Sequence, residues 1–172
     1  MVAAWPEPVE RVSSFLRSAG AEARVEEFPQ GTPTATDAAS AVGCDLDQIV
    51  KSLVLVCEKG AVVALVPGDR RVDPEKVARG AKAARARIAS ADEVTAATGF
   101  PPGAVAPFPL PNVDLVLMER SLLRHPVVWA GAGSPLHMVG LAPGELRRLA
   151  RARPMDVSQD PAYDSSQKPK ES

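Results

Sequence analysis

Apolar residues recur along the chain in two patterns, one at helical spacing and one in short, nearly continuous runs. Val9, Val12 and Leu16 share one face of a predicted helix that Gly20 ends. The run from Ile49 to Cys57 is typical of a strand covered on both faces. The pattern predicts helices over residues 7–19, 34–43, 74–81, 90–99 and 143–150, and strands over 21–28, 49–57, 61–66, 85–89, 113–118, 127–130 and 137–141.

These elements alternate without the strict βαβ order of a doubly wound sheet. The predicted fold class is therefore α/β (mixed α+β), a single domain over residues 1–153. From Pro154 onward Pro, Ser, Asp, Gln and Lys dominate and apolar residues become sparse. We predict a disordered C-terminal tail over residues 154–172.

The charge balance excludes a protein that grips nucleic acid by bulk charge. The chain carries 20 Lys and Arg against 21 Asp and Glu, a formal net charge of −1. A polyanion partner must therefore meet a local basic patch. The candidate tRNA-binding residues are Arg70, Arg71, Lys76 and Arg79, with Lys82, Arg85 and Arg87 beyond them. A solvated helix face is the equally weighted alternative for this segment.

Neither a membrane anchor nor a metal site is expected. No apolar run approaches the ~20 residues of a membrane helix, and no signal peptide is recognisable at the N-terminus. Cys44 and Cys57 lie thirteen positions apart and His125 and His137 twelve, neither of which is a zinc-ligand spacing. We predict a cytoplasmic protein without cofactor, metal or membrane partner.

Lys51 is the main irregularity in the apolar strand. If the strand is regular, Lys51 shares a face with Ile49, Leu53 and Leu55. A buried ammonium must find an anion, lose its proton or reach solvent. A strand-end lysine that extends into solvent is the favoured reading from the pattern alone, and a cation at the mouth of a pocket is the functional one.

Two loops could bring backbone close to a ligand. The segment from Gly99 to Phe108 is dense in Gly and Pro, and exposed backbone N–H groups in such a loop can bind a carbonyl oxygen or an oxyanion. A proline-stiffened connection is the plainer reading. The small residues from Gly131 to Pro135 permit either a tight turn, which is favoured, or close ligand approach.

Three motifs, in this order, resemble one known family. Gly43 is followed by a hydrophobic-Lys-Ser-Leu signature at Lys51, and Gly103 to Pro107 forms a Gly-x-x-x-Pro loop. Residues 127–146 add a Gly-rich turn and a Leu-x-Pro-x-Glu-Leu ending. Together these resemble the YbaK/ProX family of aminoacyl-tRNA editing domains, over roughly residues 7–153, and the resemblance favours the functional reading of Lys51.

The resemblance implies a mixed, mostly antiparallel curved sheet with surrounding helices, closing around a small pocket. It implies hydrolysis of the ester that links a wrong amino acid to tRNA, most often tRNA for proline. Lys51 matches the family's essential lysine, and Gly103 matches the loop glycine whose backbone engages the substrate. The candidate substrate-binding residues are Phe28, Ser52, Ala104, Val105, Ala106, Pro107, Gly133, Ser134 and His137.

Two departures bear on the edited amino acid. Phe28 stands where cysteine-specific members carry Tyr, and Met138 where they tend to carry Asp. Both differences weaken a Cys-tRNA assignment, and the apolar pocket walls suit a small side chain such as Ala.

The leading hypothesis is a free-standing, trans-editing aminoacyl-tRNA deacylase that binds the acceptor end of tRNA. Prolyl-tRNA synthetase or an elongation factor are possible protein partners. Two alternatives stay open: a non-catalytic tRNA- or synthetase-binding module on the same fold, and a small-molecule pocket protein unrelated to tRNA.

Overall fold

The computed structural model describes residues 5–160 as one eight-stranded mixed sheet with helices packed against it. This confirms the predicted mixed α/β single-domain class. The helices are α1 (Glu7–Ser18), α2 (Ala35–Val42), α3 (Pro74–Ala81), α4 (Ala91–Thr98) and α5 (Pro143–Ala150). The strands are β1 (Val25–Glu27), β2 (Ile49–Cys57), β3 (Gly60–Pro67), β4 (Ala86–Ile88), β5 (Leu115–Glu119), β6 (Val128–Ser134), β7 (His137–Leu141) and β8 (Ala152–Met155).

Local capping chemistry fixes the ends of the two helices nearest the site. The Thr34 side chain accepts a hydrogen bond from the backbone N–H of Asp37 at 3.1 Å, and Gly43 ends α2 in the left-handed region with φ of 74°. In α4, Ser90 and Glu93 form a reciprocal capping box, and Gly99 ends the helix with φ of 72°. Both helices follow the sequence prediction.

The strand order is β1-β7-β6-β2-β3-β5-β8, with β4 attached to β2. One edge of β2 pairs along its length with β3 in antiparallel register. The other edge pairs in parallel with β6 at Ile49 and Val50 and antiparallel with β4 from Leu55 to Cys57. In the described part of the chain no strand covers residues 51–53 on that edge, and this gap in the sheet opens into the cleft described below.

The two faces of β2 belong to different apolar clusters. Val50 and Val54 pack in the main core, which the helices α1 and α5 also cover. Leu53 and Leu55 lie in a second cluster, which includes Val77 of α3. Because side chains alternate along a strand, Lys51 lies on the face of Leu53 and Leu55, as the sequence predicts.

The predicted start of the disordered tail at Pro154 is wrong. Residues 152–155 form β8, which pairs in parallel with β5, and Val157 and Ser158 beyond it are buried. The pattern missed this strand because it is short, contains proline and is specified by a distant partner rather than by its own sequence. Residues 161–172 of the predicted tail lie outside the described residues.

The segment predicted as a turn at Gly131–Pro135 is also mostly strand. β6 continues to Ser134, with a register shift against β7 between Gly131 and Ser134. A bulge of this kind re-aims the side chains of one strand, and here it places Ser134 beside the gap.

Across residues 5–160, no helix has the length and apolar content needed to span a bilayer.

Candidate functional site

A cleft of about 330 Å³ lies at the gap in the sheet, between β2, the start of α2, α4 and the loop at residues 102–105. The predicted catalytic residues Lys51 and Gly103 both line it. Ser52, Ala104, Val105 and Ser134, expected as substrate-binding residues, line it as well. The sheet therefore brings together two motifs that are about fifty residues apart in the chain.

The Lys51 ammonium is half-buried at the edge of this cleft. Its Nζ donates a hydrogen bond to the backbone carbonyl of Arg70, in the loop after β3. Burial lowers the pKa of Lys51 from its usual 10.5; the negative charge of Asp69 opposes this shift and the positive charge of Arg71 adds to it. An ammonium has three N–H donors, so one contact to Arg70 leaves donors for a ligand.

The loop that contains Gly103 supplies backbone donors on the cleft wall. Gly103 has φ of 81°, and the N–H of Ala104 is occupied by the Pro101 carbonyl at 3.0 Å. Within residues 5–160, no acceptor is found for the N–H groups of Gly103 and Val105. Of the donors expected in this loop, these two are therefore available to a carbonyl oxygen, whereas Ala104 is not.

Ser52 adds a hydroxyl to the cleft lining. Its Oγ is buried and has no hydrogen-bond partner in the described part of the chain. The cleft also contains apolar side chains that the sequence analysis did not connect with the site: Ile49, Leu53, Val54, Ile88 and Val94. Of these, Ile88 is 55% exposed although it is large and apolar, and such exposure is typical of a residue at a binding surface. Met138, noted there as a departure from the cysteine-specific pattern, lines the cleft as well.

His137 does not line the cleft but supports a residue that does. A hydrogen bond of 2.6 Å joins its Nδ1 to the Ser134 hydroxyl, and Trp5 packs edge-on against its ring. His137 is 2% exposed, and burial lowers its pKa despite the Glu27 carboxylate 3.9 Å from Nε2. The imidazole is therefore held against Ser134 rather than in the cleft lining. Direct contact between His137 and a substrate stays a prediction.

Four further predicted substrate-binding residues lie away from the cleft lining. Phe28 packs edge-on against Trp129, and it lines a separate groove beside α2. Ala106 is buried in the main core and Pro107 lines a groove near α5. Gly133 faces the start of α1, where an added Cβ would lie 2.9 Å from the Pro8 backbone. The location of these four side chains depends on packing against elements distant in the chain, which could not be predicted from the local sequence.

The four predicted tRNA-binding residues divide into two pairs. The Arg70 guanidinium contacts Ser158 at 3.3 Å and Glu119 at 3.6 Å, and Lys76 forms a 2.7 Å ion pair with Asp156. These two cations are partly buried and already paired with carboxylates of the protein. Their contact with tRNA phosphates stays a prediction. Arg71 and Arg79 are exposed and have no ion-pair partner in the range 5–160.

The cleft does not offer a metal site. Over residues 5–160, no group of three or more His, Cys, Asp or Glu side chains is placed to hold a metal ion. The polar groups around the cleft are instead an ammonium, the hydroxyls of Thr32, Thr34, Ser52 and Ser134, and backbone amides, which suit a carbonyl and its developing negative charge.

Residues 29–149 match the family model described as "Aminoacyl-tRNA editing domain". The chain belongs to this family. The match includes Lys51, Gly103 and every other residue that lines the cleft, the last of which is Met138. β8 and the segment after it lie outside the match. The resemblance inferred from the sequence motifs is thus confirmed.

Relatives and solved structures agree with this membership. The "Uncharacterized protein YwhH" of Bacillus subtilis (strain 168) is 33% identical over 138 residues, covering 79% of this chain and 87% of the relative. A proline–tRNA ligase of Xanthomonas oryzae pv. oryzae is 32% identical over 137 residues, or 77% of this chain but only 24% of the ligase. A crystal structure described as "a putative trans-editing enzyme for prolyl tRNA synthetase" superposes with a TM-score of 0.85 and 37% identity, covering 91% of this chain and all of that one.

Proposed function

We propose that this protein is a trans-editing aminoacyl-tRNA deacylase that hydrolyses the ester of a mischarged tRNA. The observation that carries the proposal is the shared cleft, which is lined by Lys51 and by Gly103 and Val105, whose N–H groups have no acceptor among residues 5–160. Membership of the editing family and the likeness to a structure described as a trans-editing enzyme support it.

The chemistry needs no protein nucleophile, because an aminoacyl ester is already activated. The carbonyl oxygen lies against the N–H groups of Gly103 and Val105, which stabilise the negative charge as it forms. Lys51 anchors the terminal adenosine of tRNA or polarises the ester. Water attacks the carbonyl carbon, the bond to the ribose oxygen breaks, and the proton of the water passes to that oxygen as the free amino acid leaves. When the amino acid is cysteine, its own thiol attacks instead and gives its proton to the ribose oxygen, and water then opens the resulting cyclic thioester to free cysteine.

The cleft favours a small amino acid. Its volume of about 330 Å³ is close to the lower end of ligand pockets, and Val54, Val94 and Met138 make its wall apolar. The proposed substrate is tRNA for proline carrying Ala or Cys. The proposed contact to the substrate's amino group is Ser52, which lines the cleft and whose buried hydroxyl has no hydrogen-bond partner among residues 5–160.

Arg71 is the proposed contact to the acceptor end of tRNA, with Arg79 farther along α3. Both are exposed, and Arg71 directly follows Arg70, whose backbone carbonyl accepts the hydrogen bond from Lys51. The tRNA is delivered by prolyl-tRNA synthetase or by an elongation factor, and the reaction takes place in the cytoplasm.

A deacylation assay over a panel of mischarged tRNAs tests the proposal. We expect free Ala or Cys to be released from tRNA for proline, and release to fall at least a hundredfold in Lys51→Ala. Lys59→Ala is the matched control, since Lys59 is exposed on the β2–β3 turn. Failure to release any amino acid from the panel, together with retained tRNA binding, contradicts the enzyme and favours a binding module.

A further inference from the structure

A carboxylate that the proposed reaction does not use is buried at the end of β5. Glu119 is 2% exposed; its Oε1 accepts a 2.6 Å hydrogen bond from the Ser158 hydroxyl, and Oε2 has no partner among residues 5–160. The Arg70 guanidinium lies 3.6 Å from Oε1. A buried carboxylate is costly without such partners, so Arg70 and Ser158 are held firmly beside it.

The segment after β8 binds the loop between β3 and α3 along its length. The N–H of Asp73 donates to the Val157 carbonyl at 2.8 Å, and the N–H of Gln159 donates to the Arg71 carbonyl at 2.8 Å. Val72 and Ser158 face each other in an isolated β-bridge between these two bonds. Residues 157–159 therefore fix the backbone of residues 71–73 as an added strand would.

The same loop holds the ammonium in the cleft. Arg70 is bound twice, since its side chain contacts Glu119 and Ser158 while its backbone carbonyl accepts the hydrogen bond from Lys51. A continuous series of contacts therefore runs from the buried carboxylate to the cleft. Ser158 lies outside the residues that match the family model, whereas Arg70 and Glu119 lie inside them.

We propose that Glu119 and Ser158 are positioning residues that hold Lys51 in place through Arg70. The inference deepens the proposed function and rests on it for its kinetic consequence. When the Ser158 hydroxyl is lost, the loop loosens, the Arg70 carbonyl moves, and the ammonium becomes more mobile and better solvated. A displacement of about 1 Å in a catalytic group can lower a rate on the order of a hundredfold.

The first test follows Lys51 itself by NMR, with ¹³Cε-labelled lysine titrated in the full chain. We expect the pKa of Lys51 to rise in Ser158→Ala, because the ammonium gains water while Asp69 and Arg71 remain its charged neighbours. Ser121→Ala is the matched control, since Ser121 borders the same polar cluster and donates no bond to Arg70 or Glu119. An unchanged Lys51 titration in a folded Ser158→Ala variant overturns the inference.

The second test is kinetic. We expect kcat to fall about tenfold in Ser158→Ala with KM within twofold, and the same fall in Glu119→Gln. In a Lys51→Ala background, Ser158→Ala should add no further loss, because the residue it positions is gone. An equal further loss there shows a merely structural role and overturns the inference. If Glu119→Gln does not fold, the result for Ser158→Ala alone decides the inference. If the wild type releases no amino acid, the proposed function fails, and the NMR titration still decides whether Ser158 positions Lys51.

Discussion

Replacing Gly103 with alanine separates a role in ligand binding from a role in stability. Gly103 has φ of 81°, and an added Cβ meets no atom within 4 Å. The methyl therefore clashes with nothing, and the cost is the left-handed backbone alone, about 1–2 kcal/mol. For a chain of this size each kcal/mol lowers Tm by about 2–4 °C, so we expect Tm to fall by about 2–8 °C.

Gly20 provides a control with the same backbone cost. It follows α1 with φ of 69°, and an added Cβ there also meets no atom within 4 Å. Gly20 is not part of the cleft lining. Gly20→Ala should therefore lower Tm by a similar amount and leave deacylation within twofold of wild type.

Activity is where the two variants should differ. A ligand carbonyl that accepts from the N–H groups of Gly103 and Val105 approaches this backbone closely, and a methyl at Gly103 displaces it. We expect kcat/KM for mischarged tRNA to fall about a hundredfold in Gly103→Ala, which corresponds to about 2.7 kcal/mol.

The assay is single-turnover release of labelled amino acid, with Tm measured on the same preparations by circular dichroism. Equal activity in Gly103→Ala and Gly20→Ala, at equal Tm, refutes the reasoning, because no ligand would then contact the backbone of this loop.

Three further outcomes are expected. Gly133→Ala should lower the free energy of unfolding by about 2–5 kcal/mol in urea denaturation, since it adds strain at φ of 99° and an overpacked contact with Pro8; a loss below about 1 kcal/mol contradicts the packing. Burial lowers the pKa of His137, so below about pH 6.5 the unfolded chain binds more protons than the folded one. The free energy of unfolding therefore falls on acidification by up to about 1.4 kcal/mol per pH unit. His137→Asn should flatten this slope, and an unchanged slope would contradict the contribution of His137. Arg71→Ala should reduce the slope of log KM for tRNA against the logarithm of the salt concentration by about one. Arg17→Ala, at an exposed position of α1, should leave this slope unchanged.

Elements fixed by local chemistry could be predicted from the sequence. The caps at Thr34 and Ser90 and the stops at Gly43 and Gly99 depend on neighbours within four residues, and the structure shows each of them. The apolar run of β2 also predicted its burial on both faces. In contrast, β8 depends on pairing with β5, and its own four residues contain no alternation or β-branched side chain that would indicate a strand.

The candidate site shows the same division. The motifs identified Lys51 and Gly103, and the sheet places both on one cleft. The sequence could not indicate that Pro101 occupies the N–H of Ala104, or that Glu119 and Ser158 hold the side chain of Arg70. These contacts join residues through backbone groups or across about forty to ninety positions, where hydrophobic patterning carries no information.

The central claim is that an ester carbonyl lies between the Lys51 ammonium and the free amides of the Gly103 loop. The most direct measurement is a crystal structure with 3′-deoxy-3′-alanylamino-adenosine, a stable amide in place of the ester. The account predicts its carbonyl oxygen within about 3.1 Å of the N–H of Gly103 or Val105, with the alanyl methyl toward Val54 and Met138. Binding of the analogue in the groove beside Phe28, with the Gly103 loop uncontacted, would contradict the account.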